Sequence, residues 1–437
     1  MVKVITYGTY DYLHYGHIQL LKRAKALGDY LIVAVTASDF DQRRGKINVR
    51  QSLAERMEAV RALNIADEII VEEYEGQKID DICRTGADIF TVGSDWEGKF
   101  DYLKEYCKVI YLPRTEGVSS SGIRQKGGIR LGLAGDALFL NKIAKECQFV
   151  NGVELAGIYT NHIERMSAGI KSLEFITNQY DALLDAVDAV YIHTSPHYHY
   201  RQAKEALKKH KHVLCHSPIA LKEQHARELL ELAGDEKCVL LDGIKTAYST
   251  AFERMLLLLK SGLIGRVVSV DATCTRLKAD LSAEKWTNLC AWGPIAMLPV
   301  FKILGTRYLS KSAAALFEQD DDIFAKIDFL YSNAVASIKI GKKVKSEGEL
   351  VISGSKGYVY VPAPWWKTDY FEIRYENPKN NKRYFYQLDG EGIRYELAAF
   401  VQMIQKKWVH GYLEPDISIA VSKVIEDFYQ GKDIVLI

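Results

Sequence analysis

"VKVITYGTYDYLHYGHIQLLKRAKALGDYLIVAVTA", residues 2–37, opens on a β-branched run at 2–8 and closes on another at 29–37. Between them "HIQLLKRAKALG" places apolar residues at 20, 21, 24 and 27, keeps Lys22, Arg23 and Lys25 off that face, and ends on Gly28 as a C-cap signal. That spacing predicts a helix between two strands. Working outward, "DEIIVEE" (67–73), "ADIFTVG" (87–93) and "KVIYLPR" (108–114) are further short strand-like runs separated by helical patterns. Five strands with crossovers of this length predict a parallel sheet wound on both faces, within residues 1–125.

The pattern restarts after the connector "GIRQKGG" (122–128). "IRLGLAG" (129–135), "VELAGIY" (153–159), "DAVYIHT" (188–194), "HVLC" (212–215) and "CVLLD" (238–242) predict a second Rossmann-like domain over 129–248. Beyond it, "RVVSVDATCTRL", "KIDFLYSNAVASIKIG", "GELVISGSKGYVYVP" and "YFEIRYEN" read as longer antiparallel strands with turns at Ser332-Asn333 and Ser355-Lys356-Gly357. Helices return at "GIRYELAAFVQMIQKK" and "SIAVSKVIEDFYQG". Residues 249–437 are therefore expected to form an α+β domain with a large mixed sheet, and the whole chain is α/β.

Composition bounds the function. The 437 residues are 48% hydrophobic and 26% charged with a formal net charge of +1, which gives no bulk electrostatic case for nucleic acid or an anionic membrane as partner. Apolar runs reach about eight residues, too short to cross a bilayer, and no signal-peptide pattern opens the chain, so a cytoplasmic protein is expected. The seven cysteines are scattered without a C-x-x-C pair, which predicts reduced thiols and no protein-borne metal centre.

The candidate site lies in "GTYDYLHYGH" (8–17). The strand ends at Gly8 and the helix begins near His17. Ligands of parallel sheets bind at the carboxyl ends of strands, and a helix N-terminus there suits phosphate. Gly16 allows close backbone approach, and His14 and His17 can donate hydrogen bonds to a phosphoryl group that gains charge in the transition state. With 11 His and 31 Gly in the chain, H-x-G-H arises by chance roughly 0.02 times.

This stretch resembles the H-x-G-H signature of the cytidylyltransferase superfamily. "VGSDWEGKFDYL" and "YLPRTEGVSSSGIR" carry the likeness to the bacterial glycerol-3-phosphate cytidylyltransferases through residues 1–125. The resemblance implies attack by a polyol phosphate on the α-phosphorus of CTP, with Mg²⁺ shielding the β and γ charges, and a homodimer supplying polyol-phosphate polymers of wall or capsule. It assigns His14 and His17 to the α-phosphate, and Thr9, Tyr10, Asp11 and Gly16 to the nucleotide pocket with Asp95 and Trp96. Arg114, Thr115, Ser119 and Ser120 go to phosphates and ribose, and Arg44 and Lys46 of "RRGK" to the triphosphate or the acceptor phosphate. Asn64 stands where the family has an arginine, a departure that touches acceptor binding.

The second domain resembles the Gfo/Idh/MocA oxidoreductases through "DAVYIHTSPHYHYRQAKEALKKHKHVLCHSPIAL", "SGLIGRVVSVDAT" and "ISGSKGYVYVPAPWW". The family implies NAD(P), with Gly132, Gly135, Thr194, Pro196, His199 and Lys245 as the cofactor-binding candidates here. The binding and catalytic patterns are eroded. Gly135, Ala137 and Leu140 fill the glycine fingerprint, Asp136 puts a negative charge where phosphates would lie, and Thr160-Asn161 replace the ribose-binding acid. Ser217 replaces the lysine of the E-K-P motif, and Ala291 and Ile295 replace the later aspartate and His/Tyr. The expectation is a cytidylyltransferase joined to an inactive oxidoreductase-like region. The alternatives are a bifunctional enzyme with an active NAD(P)-dependent half, and a non-catalytic nucleotide sensor or scaffold.

Overall fold

The computed structural model describes residues 1–437 apart from 12, 14, 44–48, 50, 75, 114–127, 278–286, 320, 368, 387 and 408–412, and apart from the side chains of Gln42, Arg43 and Asp95. The chain divides into two compact units, Met1–Gly128 and Ile129–Ile437.

In the first unit the elements run β1 (Lys3–Gly8), α1 (Tyr15–Lys25), β2 (Tyr30–Thr36), α2 (Ser38–Arg43), α3 (Leu53–Ala62), β3 (Glu68–Glu72), α4 (Gln77–Thr85), β4 (Ile89–Gly93) and β5 (Lys108–Leu112). The strands pair in parallel in the order β3-β2-β1-β4-β5. Period-2 alternation makes both faces apolar. Val4, Leu31, Val33 and Val35 pack with Leu21, Ala24 and Val60 on one side, while Ile5, Ile32, Ala34 and Phe90 pack with Ile82 on the other. The predicted stripe Leu20, Leu21, Ala24 and Leu27 joins the first cluster in full. Gly28 is not the left-handed cap expected of it: α1 ends at Lys25, and a Cβ on Gly28 would lie 2.6 Å from the Val2 carbonyl oxygen. The glycine serves the close approach of the chain to β1. A capping box starts α3, with Ser52 Oγ accepting from Glu55 N at 3.2 Å and Glu55 Oε2 accepting from Ser52 N at 2.6 Å.

The second unit opens with β6 (Ile129–Ala134), α5 (Leu140–Cys147), β7 (Val153–Tyr159), α6 (Ala168–Lys171), β8 (Phe175–Thr177), α7 (Tyr180–Ala186), β9 (Ala189–Ile192), α8 (Pro196–Lys208), β10 (His212–His216), α9 (Glu223–Asp235), β11 (Leu240–Gly243) and α10 (Thr250–Lys260). These strands form a parallel sheet in the order β11-β10-β9-β6-β7-β8. With three residues, β8 is too short for hydrophobic periodicity to mark it.

There follow β12 (Val267–Arg276), α11 (Asn288–Leu304), β13 (Ser310–Glu318), β14 (Asp321–Leu330), β15 (Val335–Lys342), β16 (Leu350–Gly354), β17 (Tyr358–Val361), β18 (Tyr370–Arg374), β19 (Lys382–Phe385), α12 (Ile393–Lys406), α13 (Pro415–Tyr429) and β20 (Ile434–Leu436). The second sheet has the order β19-β18-β17-β16-β12-β15-β14-β13-β20. It is mixed: β12–β15 and β13–β20 are parallel, and the other pairs antiparallel. The predicted hairpin turns join β14 to β15 and β16 to β17. α11 lies on β12, β14 and β15, α13 packs on α9 and α11, and α12 packs on α5, which ties both sheets into one unit. Among the described residues no helix is long and apolar enough to cross a membrane.

Candidate active site

Strand order places β1 between β2 and β4, so the chain leaves the carboxyl end of β1 where the crossovers diverge to opposite sides. A crevice at that point is where open α/β sheets bind ligands. Thr9, Tyr10 and Asp11 follow the end of β1, and α1 begins at Tyr15, its first turn carrying Gly16 and His17 and no acidic residue. The helix dipole at this end is therefore left positive by its own sequence.

Tyr10 is 1% exposed with φ 54°, and its ring folds back over Gly8, where a Cβ would lie 2.8 Å from the tyrosine Cζ. The same ring meets the His17 imidazole edge-on, with centroids 5.5 Å apart and planes at 72°. A bare Gly8 thus lets Tyr10 fix the plane of His17. Thr9 Oγ1 donates to Asp41 Oδ1 at 2.8 Å, and Asp11 Oδ1 accepts from Gln51 N at 3.0 Å. Trp96 follows the end of β4 in a 3-10 turn (Ser94–Trp96) and packs on Phe100, with Lys99 Nζ 4.9 Å over its ring. So the structure gathers Thr9, Tyr10, Asp11, Gly16 and His17 on one loop and helix start, and sets Trp96 at the end of the neighbouring strand. Asp95 is described only in its backbone. His14, Arg44, Lys46, Arg114, Thr115, Ser119 and Ser120 lie outside the described residues.

Arg56 was not singled out in the sequence, yet it organises this edge. Its guanidinium is fully buried and donates to the carbonyls of Thr9 (2.7 Å), Thr36 (2.8 Å) and Gln51 (3.2 Å) and to Ser38 Oγ (2.9 Å). Its NH1 also lies 3.7 Å from Asp41 Oδ2, a carboxylate that is itself buried. One side chain on α3 therefore ties the ends of β1 and β2 to α2. A signal existed in hindsight: Arg56 follows the capping-box Glu55 on the face that carries Val60 into the core. Along the same edge, Glu72 pairs with the buried Lys78 and accepts from Thr36 Oγ1 at 2.8 Å. The Asn64 departure has a local explanation: it sits just past α3 with φ 55°, a left-handed position that asparagine tolerates better than arginine.

The second unit treats its expected cofactor residues differently. Asp136 Oδ1 accepts from Thr160 Oγ1 at 2.6 Å and from Asn161 N at 2.7 Å, so a protein carboxylate links the turn after β6 to the end of β7. Ala137 and Leu140 are 2% and 0% exposed and fill space that a dinucleotide fingerprint leaves to glycine. Gly135 is required by packing, because a Cβ there would lie 2.1 Å from the His193 carbonyl oxygen. Gly132 is likewise a packing position, 3.0 Å from Leu183 by the same measure. His199, expected at the cofactor, is fully buried, with Nδ1 2.8 Å from the Pro218 oxygen and Nε2 2.9 Å from the Thr194 oxygen, so both ring nitrogens are engaged in bracing backbone. Thr194 is buried and donates to Gln202 at 2.6 Å, and Pro196 is buried in the first turn of α8. In this structure these side chains serve packing and the bracing of backbone.

Lys245 lies over the Phe139 ring, its Nζ 5.6 Å from the centroid. On that ring pack His193 and His216, at 5.1 and 5.6 Å, which stack on each other at 4.3 Å. Burial pulls Lys245 down and pushes the Glu396 carboxyl up to about 8, with Lys245 opposing the latter shift and Asp242 adding to it. Sequence reading missed Glu396 because it lies about 150 positions from Lys245 on another layer. A native carboxyl that holds its proton more tightly than the ordinary 4.5 stabilises the fold below that pH and loses this contribution as pH rises towards 8. Thermal melts of the second unit should therefore fall in temperature between pH 5 and 8, and Glu396→Gln should flatten that slope; Asp242, raised by burial to about 6, supplies what remains.

Comparison with known proteins matches these two geometries to two families. Residues 5–126 match the family described as cytidylyltransferase-like, and residues 129–243 match an oxidoreductase family with an NAD-binding Rossmann fold. The chain is 48% identical over 126 residues to the glycerol-3-phosphate cytidylyltransferase of Bacillus subtilis, covering 29% of this chain and 97% of that protein. It is equally 48% identical over 126 residues to the enzyme of the same name from Staphylococcus aureus, covering 95% of it. A 3-ketoreductase from Actinomadura kijaniata, solved with TDP-benzene and NADP, superposes with a TM-score of 0.62 at 17% identity, over 71% of this chain and 99% of that one, a likeness of fold. The chain thus belongs, through its first unit, to the cytidylyltransferase family, and carries behind that unit a domain of the Gfo/Idh/MocA oxidoreductase fold.

Proposed function

We propose that the first unit transfers CMP from MgCTP to glycerol 3-phosphate, giving CDP-glycerol and pyrophosphate. The observation that carries this is His17, held by Tyr10 in the first turn of α1 at the carboxyl end of β1. A phosphate oxygen of the acceptor attacks the α-phosphorus as the bond to the β,γ-pyrophosphate breaks. The charge that grows on the α-phosphoryl oxygens is met by the His17 imidazole and the positive end of α1, with no covalent intermediate. Thr9, braced by Asp41 and Arg56, holds the loop in register so that little reorganisation accompanies reaction. Asp11 and Asp41 are each engaged by protein donors, which supports magnesium entering on the triphosphate. The acceptor rests on the names of the relatives at 48% identity. A panel of acceptors tests it: kcat/KM for pyrophosphate release should be highest with glycerol 3-phosphate, and a higher value with another polyol phosphate or with phosphoethanolamine would reassign the substrate.

We infer further that the oxidoreductase-like region performs no hydride transfer. The Asp136 bridge to Thr160 and Asn161, and the side chains of Ala137 and Leu140, support this. Calorimetry of the full chain with NADH and with NADPH should give no binding up to about 1 mM, above the range of nicotinamide cofactor affinities by orders of magnitude. Micromolar binding with turnover of a polyol phosphate would overturn the inference.

A further inference from the structure

Three lysines of the second unit converge on one carboxylate. Glu391 Oε2 lies 2.9 Å from Lys367 Nζ, 3.1 Å from Lys142 Nζ and 3.7 Å from Lys245 Nζ, and Glu391 Oε1 lies 3.1 Å from Lys142 Nζ. The cations come from separate places: Lys142 from the first turn of α5, Lys245 from the 3-10 turn after β11 (Lys245–Tyr248), and Lys367 from a 3-10 turn (Trp365–Lys367). Glu391 belongs to a fourth, the turn Asp389–Gly392 before α12.

Among the described residues, Glu391 is the one carboxylate within 4 Å of all three ammonium groups. Glu396, the other carboxyl beside Lys245, is buried and holds its proton up to about 8. The first turn of α5 holds no acidic residue to offset its own positive end. An ordinary structural ion pair sets one cation against one anion. Here three ammonium groups from separate elements meet on one carboxylate in a place open to solvent, since the Glu391 side chain is 39% exposed.

Glu391 is also held in an unfavourable backbone. Gly390, Glu391 and Gly392 have φ of 57°, 56° and 90°, and the middle residue carries a Cβ that disfavours this region. The contacts that keep its carboxylate in place are those with the lysines. Lysine ammoniums donate and never accept, so the site selects an oxyanion. A carboxylate offers two oxygens to three donors; a phosphate monoester offers three oxygens and nearly two charges. Aromatic walls stand beside the cations: Phe139 lies 5.6 Å below Lys245 Nζ, and Trp366, next to Lys367, packs on Trp292 at 4.9 Å.

We propose that Lys142, Lys245 and Lys367 form a binding site for a phosphate monoester in the second unit, and that Glu391 is a built-in anion that occupies it until ligand arrives. This inference is independent of what the first unit catalyses. Isothermal titration of the full chain with inorganic phosphate, in parallel with glycerol 3-phosphate, tests it on wild type, Glu391→Gln and the double variant K142A/K367A. Removing the competing carboxylate should tighten inorganic phosphate about tenfold, and the double variant should lose that binding event. An equal gain for both ligands assigns the site to the phosphate group alone, and a larger gain for glycerol 3-phosphate assigns it to an organic ester. Thermal melts report folding, and Glu391→Gln alone decides if the double variant is unfolded. Phosphate titrations that do not differ between wild type and folded Glu391→Gln would overturn the proposal and leave the cluster a structural clamp.

Discussion

Replacing His17 by alanine should lower kcat for pyrophosphate release from CTP and glycerol 3-phosphate by about a thousandfold, with a much smaller change in KM for CTP. The loss falls on kcat because the imidazole meets charge that is larger in the transition state than in bound CTP. His17→Asn, which keeps a donor but not the ring, should recover part of the loss. Tyr10→Leu should give a milder defect of the same kind, since it frees the plane of the ring without removing it. A His17→Ala enzyme with a raised KM and unchanged kcat would make the residue a binding group and take the transition-state role away from it.

Arg56→Ala should lower the melting temperature of the first unit by roughly 10 °C or more, following about 3–5 kcal/mol for a buried charge that loses its partner. The substitution leaves Asp41 buried beside an empty space and strips donors from the carbonyls of Thr9, Thr36 and Gln51. Arg56→Lys should recover only part, because an ammonium cannot reproduce the fork that reaches both strand ends. Activity should fall at temperatures where the variant is still folded, since the Thr9 carbonyl lies where the chain leaves β1 on its way to His17 in α1. A melt within 2 °C of wild type would show that the hydrogen bonds of Arg56 are replaceable by water.

What could be read from the sequence follows physical range. β1, α1 and β2 announce themselves because each is a local pattern: β-branched residues at the strands, a helical stripe at 20, 21, 24 and 27, and a glycine next to the turn. The H-x-G-H motif is equally local. β8 escaped because three residues carry no period, and Gly28 was misread because its constraint is the Val2 carbonyl 26 residues earlier, not its own helix. Arg56 and Glu396 escaped for the same reason on a larger scale. Each is an ordinary polar residue on a helical pattern until the fold brings β1 and β2 to the one, or Lys245 to the other. The eroded dinucleotide motif was legible as missing glycines, but the Asp136 bridge that takes their place required the two strand ends to be adjacent. His199 is the converse case, a residue whose type suggests chemistry and whose two ring nitrogens the fold engages with backbone.

The product of the first unit is the most direct test of its chemistry. Phosphorus NMR of the full chain incubated with MgCTP and sn-glycerol 3-phosphate should show CDP-glycerol and pyrophosphate appearing together in equal amounts, and neither in the His17→Ala protein. CTP that persists unchanged, or that is hydrolysed without the acceptor being incorporated, would contradict the account.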